Sequence, residues 1–359
     1  MQIALNKRLF FRKLFPFCLC ISLFAILSAR FSEVRAESAS AEDDQTRQSM
    51  ADQSAPDTDA PVQTMDLDHA RQYWLYLVNR DRSMFGLAPV QLDPIATKAG
   101  QWHADEMASK AFNSHWHPDG KKPPQRYTEC GGMDYVGENS HGTSPNGGWQ
   151  IKVAQNQAFT AKQVEDEEKC YFNELPPNDG HRKNILGREH THVGLGLTAV
   201  DLYHKGSDTE AETTLRQLTS AQEFINKYGE YSASSDEFVK DTPYVFSGRI
   251  APYLSVQSVQ VLRENLPEPI NQSTLSEETT GPFHGGYTLP DKNVLSAFPM
   301  AFAQKPEAKL MQQGNEFRCE LTPPRKWKPG LYYVFLWVQS GKAEAFPISM
   351  RTIPLNGKK

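Results

Sequence analysis

Long apolar runs are scarce in this sequence, and the longest one lies near its start. Leu14 to Ala29 is shorter than the roughly 20 residues that a helix needs to cross a membrane. Four basic residues precede this run, and Val34-Arg35-Ala36 follows it as a site that suits signal peptidase. We therefore predict that residues 1–36 are a signal peptide for export, with a single-pass membrane anchor as the alternative.

The sequence also lacks an excess of basic residues and the short motifs of several enzyme classes. Its net charge is −5, and removal of residues 1–36 brings it to about −10. Nucleic-acid binding needs basic side chains that neutralise phosphate, so we expect no nucleic-acid partner. There is no His-Glu-x-x-His, Gly-x-Ser-x-Gly, P-loop or dinucleotide-binding motif. These absences argue against the enzyme classes that depend on such motifs.

A chain of 359 residues is long enough for two domains. Residues 37–64 are rich in acidic residues, Ser, Ala and Gln and hold almost no large apolar side chain, so we predict a disordered acidic linker. Apolar residues then recur at helical spacing from Leu67 to Val78. Asp93 followed by Pro94 is a typical N-cap and first helical residue, which predicts a second helix.

Strand-like patterns dominate the rest of the chain. Two of them, at residues 193–202 and 213–224, complete a predicted α+β domain over residues 65–235. Farther on, short runs rich in β-branched and aromatic residues are separated by Pro, Gly and Asn: Tyr244 to Ile250, Val256 to Leu262, Glu316 to Leu321 and Leu331 to Val338. These runs predict an all-β domain over residues 241–355, an immunoglobulin-like sandwich.

Two histidines and two glutamates stand out between the two predicted helices and the first of these strands. His115 lies in FNSHWHPDG, Glu138 in YVGENSHG, Glu174 in YFNE and His181 in PPNDGHRKNIL. Imidazole and carboxylate groups bind borderline divalent metals or relay protons near neutral pH. Two neutral imidazoles would bind Zn²⁺ or another divalent cation, and flanking carboxylates would orient the rings or accept a proton from bound water.

The motifs around these residues resemble those of the CAP superfamily, which includes cysteine-rich secretory proteins, antigen 5 and pathogenesis-related proteins. Residues 77–108 look like the opening of that family, with an Asn-x-x-Arg helix at Asn79 to Arg82 and a Gly-Leu-x-Pro turn. The later motifs follow in the family's order: a histidine before a Pro-Asp-Gly turn, a Gly-Glu-Asn triplet, a Gly-His-Arg-x-Asn-Ile-Leu run and a Val-Gly-x-Gly strand. The bacterial type is the more similar one.

The resemblance implies an α-β-α sandwich with a large central cleft, into which two histidines and two glutamates project. His115 matches the first histidine because it stands three residues before Pro118. Glu138 matches the glutamate of the triplet, and His181 matches the histidine of the Gly-His-Arg run. Glu174 matches the second glutamate, which follows an aromatic-x-x pattern. Three nearby acidic residues are alternatives to it: Glu165, Glu167 and Glu168.

Three roles remain open for this cleft. As a binding module it would take up a divalent cation and an extracellular or envelope ligand, lipid-like, sterol-like or peptide-like, as the resemblance implies. As a metal-dependent, protease-like hydrolase it would use Glu138 or Glu174 as the catalytic base. As a polar cluster it would only stabilise the cleft walls. The missing hydrolase motifs favour a binding module that is secreted or held in the periplasm or cell envelope, and disfavour an enzyme.

Other polar residues receive simpler interpretations. His103 is expected to pack or face solvent, whereas His117 and His141 are substitute ligands. The acidic run from Glu165 to Glu168 is expected to be a solvated helix face.

Cysteine is infrequent, and three of the five cysteines lie beyond the predicted signal peptide. Cys130 precedes Glu138 and Cys170 precedes Glu174, so a bridge between them would tie down both glutamate-bearing segments. Export would permit such a bridge, and we predict a Cys130–Cys170 disulfide, with two unconnected thiols as the alternative. Cys319 is left over.

Overall fold

The computed structural model describes residues 63–143, 149–204, 213–275, 287, 289–290, 292–299 and 307–357. The predicted signal peptide and nearly all of the predicted acidic linker lie outside the described residues. In the described ranges, no helix is both long enough and apolar enough to span a membrane.

In the described chain, helices occur as far as Leu275, and strands occur throughout. The helices are α1 (Leu67–Ser83), α2 (Pro94–Lys110), α3 (Pro123–Glu129), α4 (Ala161–Phe172), α5 (Gly180–Ile185) and α6 (Gln272–Leu275). The first seven strands are β1 (Thr64–Met65), β2 (Gln91–Leu92), β3 (Tyr135–His141), β4 (Trp149–Val153), β5 (Phe159–Thr160), β6 (His192–His204) and β7 (Thr213–Asn226). The others are β8 (Gly229–Ala233), β9 (Tyr244–Ile250), β10 (Leu254–Glu264), β11 (Asn293–Ala297), β12 (Ala308–Gln313), β13 (Glu316–Leu321), β14 (Gly330–Ser340) and β15 (Phe346–Leu355).

The two helices predicted from the sequence are confirmed, and local chemistry explains where they begin. Asp66 caps α1 by accepting a hydrogen bond from the backbone N–H of His69 at 2.9 Å. Asp93 caps α2 by accepting from the N–H groups of Ile95 and Ala96, and Pro94 occupies the first helical position. These carboxylates satisfy backbone donors that have no partner inside the helix.

A five-stranded sheet forms the centre of the first half of the fold. Its strands follow the order β2-β6-β7-β3, with β4 paired to β6. The long antiparallel hairpin of β6 and β7 confirms the two strands predicted there. Val193, Leu195 and Leu197 pack on one face against Trp74 of α1, and α2 covers the other face. Helices therefore lie on both sides of the sheet.

Two glycines of β6 explain how closely α2 approaches the sheet. A Cβ atom at Gly194 would lie 2.0 Å from the backbone carbon of Ala96, and one at Gly196 would lie 2.2 Å from that of Gly100. Strand glycines of this kind mark places where another backbone comes close. The Val-Gly-x-Gly pattern is therefore a packing requirement of the contact between α2 and β6.

Two four-stranded antiparallel sheets make up the second half of the described chain. Their strand orders are β11-β10-β14-β15 and β12-β13-β9-β8. They share an apolar core that includes Phe246, Val259, Leu310, Tyr332 and Ile348. The four strands predicted from the sequence in this half are confirmed, because β9, β10, β13 and β14 coincide with them or contain them. The immunoglobulin-like outline stays a prediction.

The two halves meet through a further apolar cluster. Leu331, Tyr333 and Phe335 of β14 pack there with residues of the first half such as Ala96 and Tyr127. Asn226 of β7 also donates to the Pro347 carbonyl at 2.8 Å. The β sheets therefore lie directly against the helices and strands that carry the predicted site.

The predicted Cys130–Cys170 disulfide is wrong, because all three described cysteines are free thiols. Cys130 caps the C-terminus of α3 and packs beside the apolar cluster shared by the two halves. Cys170 is exposed on α4, which packs against α1 on the other side of the sheet. Spacing along the chain could not show that the two helices lie on opposite faces.

Replacement of Gly196 by alanine should destabilise the fold by about 1–3 kcal/mol or more, because the added methyl group collides with the backbone of α2. Urea unfolding at equilibrium measures this change. Gly180→Ala is the matched control, since a Cβ atom there meets nothing within 4 Å. Equal midpoints for the two variants would show that the close approach of α2 does not limit stability.

Candidate functional site

The four predicted residues come from four segments and form two histidine–glutamate pairs. His115 lies in the loop between α2 and α3, Glu138 on β3, Glu174 just after α4 and His181 in the first turn of α5. The ring centroids of His115 and His181 are 6.4 Å apart. The two pairs therefore lie side by side at one place in the fold.

Glu138 is fully enclosed and uses both of its carboxylate oxygens. Its Oε1 is 2.7 Å from Nδ1 of His115, and its Oε2 accepts a hydrogen bond from Arg126. Burial opposes ionisation of Glu138, but the Arg126 charge, followed by the interactions with His103 and His115, outweighs it and holds the Glu138 pKa well below its usual range. The carboxylate is therefore an anion that fixes the His115 ring.

Arg126 joins the loop that carries His115 to the strand that carries Glu138. Besides its ion pair with Glu138, its Nη1 donates to the carbonyl oxygen of His115 at 2.8 Å and to that of Lys121 at 3.2 Å. The guanidinium group is completely buried. The N–H groups of a planar guanidinium can donate to a carboxylate and to two carbonyl oxygens at the same time.

Glu174 holds His181 in a second pair that is more open to solvent. Oε1 of Glu174 is 2.8 Å from Nδ1 of His181, and Oε2 accepts the backbone N–H of the same residue at 2.9 Å. The Tyr171 ring packs edge-on against the imidazole with centroids 4.9 Å apart. Burial lowers the pKa of His181, while Glu174 opposes that shift.

Asn139 and Asn184 connect the two pairs. Asn139 donates to the carbonyl oxygen of His181 at 3.0 Å and to Gln222 at 2.8 Å. Asn184 donates to the side chain of Asn139 and to the carbonyl of Glu138. The asparagines of the Gly-Glu-Asn and Gly-His-Arg-x-Asn motifs thus join β3 to α5 by hydrogen bonds. These hydrogen bonds explain why an asparagine stands at each of the two positions.

A third pair of the same kind lies next to these two. His141, at the end of β3, places Nδ1 2.9 Å from Oε1 of Glu167, and Ser220 donates to the same oxygen. The charge of Glu167 raises the pKa of His141. His141 is also close enough to His181 to contribute to the lowering of the His181 pKa.

Two further histidines form a buried chain behind Glu138. Nε2 of His117 lies 2.8 Å from Nδ1 of His103, and Nε2 of His103 lies 3.6 Å from Oε1 of Glu138. Burial lowers the pKa of His103 to about 3 and lowers that of His117 as well. His103 is buried, as expected for a packing role, and its ring also takes part in this network. His117, the expected substitute ligand, directs its Nε2 toward His103.

Glu223 is the cross-strand neighbour of Glu138 and is also fully buried. Burial, followed by repulsion from Glu138, raises the Glu223 pKa well above its usual range. Burial and the Glu138 carboxylate therefore both favour the protonated form of Glu223. Sequence reasoning missed it because the register of β3 against β7 is not visible in either segment alone.

The interpretation of residues 165–168 as a solvated face is wrong for two of them. Glu167 and Glu168 are buried, and Glu168 accepts hydrogen bonds from Nε1 of Trp74 and Nε2 of Gln222, each at 2.7 Å. Burial raises the Glu168 pKa to about 8. Helical periodicity places these side chains on the face of α4 that packs against α1 and β7. A continuous run of acidic residues does not reveal which of them lie on that face.

Metal ligation is compatible with the histidines and less so with the glutamates. A ring whose Nδ1 faces a carboxylate carries its proton there, which leaves the Nε2 lone pair available in the neutral form. No hydrogen bond to Nε2 of His115 or His181 is formed within the described part of the chain. Within the residues that the structure describes, no group of three or more His, Cys, Asp or Glu side chains is arranged to hold a metal ion.

Comparison with known proteins finds a matching family model and a curated relative. Residues 75–202 match the model of the cysteine-rich secretory protein family, CAP. The uncharacterized protein YkwD of Bacillus subtilis strain 168 is 30% identical over 122 residues, which are 33% of this chain and 39% of YkwD. The chain therefore spans about two fifths of the curated relative it matches.

Two solved structures are also similar. An extracellular protein containing a SCP domain from Bacillus anthracis strain Ames is 20% identical with a TM-score of 0.31, over 48% of this chain and 45% of that one. A chimeric titin Z1Z2 tandem is 10% identical with a TM-score of 0.17, over 63% of this chain and 85% of that one. These TM-scores are too low to carry an argument.

Replacement of Arg126 by methionine should destabilise the protein by about 3–5 kcal/mol, because it leaves the Glu138 carboxylate buried without its partner. Adding Glu138→Gln to this variant should recover part of the loss, since the unpaired charge is then removed. Urea unfolding of both variants measures the effect. Arg249→Met, which breaks an exposed ion pair with Glu316, should change little.

A cost for Arg126→Met that equals that of Arg249→Met would contradict the central role of the buried pair. So would a double variant that is less stable than Arg126→Met alone.

Stability should fall as pH rises through the window in which Glu168 is protonated in the folded state only. Its pKa is about 8 when folded against 4.5 for a free glutamate, so the folded state binds the proton more tightly and loses stability between these values. Glu168→Gln should remove this contribution, making the variant more stable than the original protein by up to several kcal/mol at pH 8 and near equal at pH 4.5. Unfolding free energies across this range test it, and a pH-independent difference would contradict it.

Proposed function

Residues 75–202 are a CAP domain of the bacterial type, and from this premise we propose that its histidine–glutamate cleft binds a divalent metal ion together with an extracellular ligand. His115 and His181 would hold the ion through Nε2, and Glu138 and Glu174 would orient their rings through Nδ1. The observation that carries the proposal is that each imidazole is paired with a carboxylate and that the two pairs lie next to each other. Zn²⁺ is the ion for which this donor set is best suited.

Carboxylate–histidine pairs support this assignment because they are the usual surroundings of a metal-bound imidazole. The carboxylate selects the tautomer that leaves Nε2 unprotonated and raises the basicity of the ring. Two imidazoles on one tetrahedral Zn²⁺, with Zn–N bonds of about 2.0–2.1 Å, have ring centroids roughly 5 Å apart. The centroids of His115 and His181 are 6.4 Å apart, so metal binding would require the two rings to approach each other by about 1 Å.

The ligand would reach the cleft from outside the cell or from the envelope, and the protein would act there as a secreted binding module. The resemblance to CAP proteins supports a lipid-like, sterol-like or peptide-like molecule as its chemical class. With two protein nitrogens as ligands, coordination positions remain for water or for an oxygen of that molecule. When bound, the ion would supply positive charge to such an oxygen.

A metal-dependent hydrolase is the second candidate, and the geometry of Glu138 weakens it. An efficient general base has a pKa near the working pH, whereas the ion pair with Arg126 holds the Glu138 pKa well below its usual range. Of the two catalytic candidates, Glu174 is the one that is partly open to solvent. A hydrolase in this cleft would therefore depend on Glu174.

Titration of Zn²⁺ into the full chain by calorimetry should show one binding event that the His115→Ala, His181→Ala double variant loses. Glu174→Gln should weaken binding by about 10–100-fold, because it releases the orientation of His181 without removing a ligand. His69→Ala is the matched control, since His69 is an exposed histidine on α1 that pairs with Asp66. Its affinity should equal that of the original protein.

Unchanged zinc binding by the double variant would place the ion elsewhere and contradict the proposed site. If neither the original protein nor any of the variants binds zinc, the two histidine–glutamate pairs are structural. Loss of stability in the double variant without loss of zinc binding would have the same meaning.

A further inference from the structure

A pocket of about 500 Å³ lies between the loop that follows His115 and the chain segment from Glu264 to Ile270. Trp116, Gly120 and Lys122 form the wall on the loop side, and the segment forms the opposite wall. None of the four described residues of the two histidine–glutamate pairs lines it. A volume of this size is typical of small-molecule binding sites. The pocket is therefore a second place on the molecule where a ligand fits.

The wall on the segment side is fixed to the loop by backbone contacts. The N–H of Ile270 donates to the carbonyl oxygen of Pro118 at 2.7 Å. A Cβ atom at Gly120 would lie 2.3 Å from the carbonyl oxygen of Glu268, so the two backbones touch there. Two prolines in the same wall restrict its backbone rotation further. A wall held in this way loses little conformational freedom when a ligand binds.

Two opposite charges in the lining of the pocket neutralise each other. Nζ of Lys122 lies 2.6 Å from Oε2 of Glu264, and the hydroxyl of Tyr333 donates to the other oxygen of that carboxylate. The side chains of Lys122 and Glu264 stay partly exposed, at 14% and 25%. A charged ligand would have to compete with this ion pair. Neutral hydroxyl groups can instead accept from the ammonium and donate to the carboxylate while the pair stays intact.

The pocket also has an apolar surface, to which Trp116 and Ile270 contribute. Both residues line it, and both pack against the buried cluster that contains Met107. Each is only partly buried, so part of its surface is left for a ligand. Leu266, which is 38% exposed, lines the pocket as well. The C–H groups of a ring can pack on such surfaces while its polar groups bond elsewhere.

Side-chain amides and a hydroxyl complete the lining. Asn265, Asn271 and Thr274 border the pocket, and amide and hydroxyl groups both donate and accept hydrogen bonds. Among the described residues of the lining, Glu268 is the remaining charged one, and it is exposed to solvent, which screens its charge. The pocket thus offers donors and acceptors together with apolar surface. A neutral molecule rich in hydroxyl groups matches that combination.

We propose that this pocket binds a neutral oligosaccharide. The C–H face of one sugar ring packs against Trp116, and its hydroxyl groups bond to the Lys122–Glu264 pair and to Asn265. The site is separate from the histidine–glutamate cleft and requires no metal ion, so it goes beyond the function proposed above. Polysaccharides outside the cell are the source of such sugars that the predicted export makes accessible.

Calorimetric titration of chitotriose and of maltotriose into the full chain, without added metal, tests the proposal. At least one trisaccharide should bind, and Trp116→Leu should weaken that binding about tenfold, because leucine keeps an apolar side chain against Met107 but has no aromatic ring. Trp102→Leu is the matched control, since Trp102 is a partly exposed tryptophan of α2 that does not line the pocket. Its affinity for the sugar should equal that of the original protein.

Asn265→Ala is a second test at an exposed position, where a substitution should leave the fold intact. Loss of one hydrogen bond should weaken sugar binding about two- to tenfold. Asn356→Ala, at an exposed asparagine outside the pocket, should change nothing. If the thermal midpoint of Trp116→Leu falls far below that of the original protein, Asn265→Ala decides the outcome.

Two results would overturn the proposal. One is the absence of binding of both trisaccharides to the original protein. The other is an unchanged affinity in the variant that decides, since the sugar would then lie elsewhere. N-acetyl-trialanine amide, titrated in the same way, examines a neutral peptide as the occupant. Tighter binding of this peptide than of either sugar, lost in the same variant, would make the pocket a peptide site and contradict the sugar assignment.

Discussion

The buried guanidinium group of Arg126 is the contact on which the arrangement of the cleft depends. It holds the Glu138 carboxylate on β3 and the carbonyl oxygens of His115 and Lys121 in the adjoining loop. A charge enclosed this completely is tolerable because it is paired and hydrogen-bonded. The loop and the strand are thereby locked together, and Glu138 is kept as an anion that turns the His115 ring in one direction.

The same chemical unit recurs around the cleft. His115, His141 and His181 each present Nδ1 to a glutamate oxygen, from three different pairs of segments. A purely structural cluster would also satisfy its hydrogen bonds. The repeated choice of Nδ1 leaves Nε2 as the acceptor of each neutral ring, however, and for His115 and His181 that atom is not used by the described residues. This asymmetry is what favours a binding role.

The C-terminal half of the described chain also contacts the loop that carries His115. β14 packs beside α2 and α3, and the backbone at Glu268 and Ile270 contacts the backbone at Gly120 and Pro118. The Tyr287 ring contacts the His115 ring edge to face. Removal of the C-terminal sheets would therefore expose the apolar surfaces of α2 and α3 that they cover.

From the sequence alone, local chemistry determined α1, α2 and six of the described strands, and motifs identified the four residues of the two histidine–glutamate pairs. Asp66 and Asp93 mark helix starts through caps within a few residues, and apolar periodicity marks the strands. The motifs around His115 and His181 carried the family resemblance. The tertiary structure decided which groups meet. Arg126, Glu223 and Tyr287 lie in segments with no metal-site pattern, and they join the site through packing and strand register. The same long-range geometry separates Cys130 from Cys170 and buries Glu168 beside Trp74. Contacts between distant segments depend on how helices pack on a sheet, because spacing along the chain does not fix which faces meet.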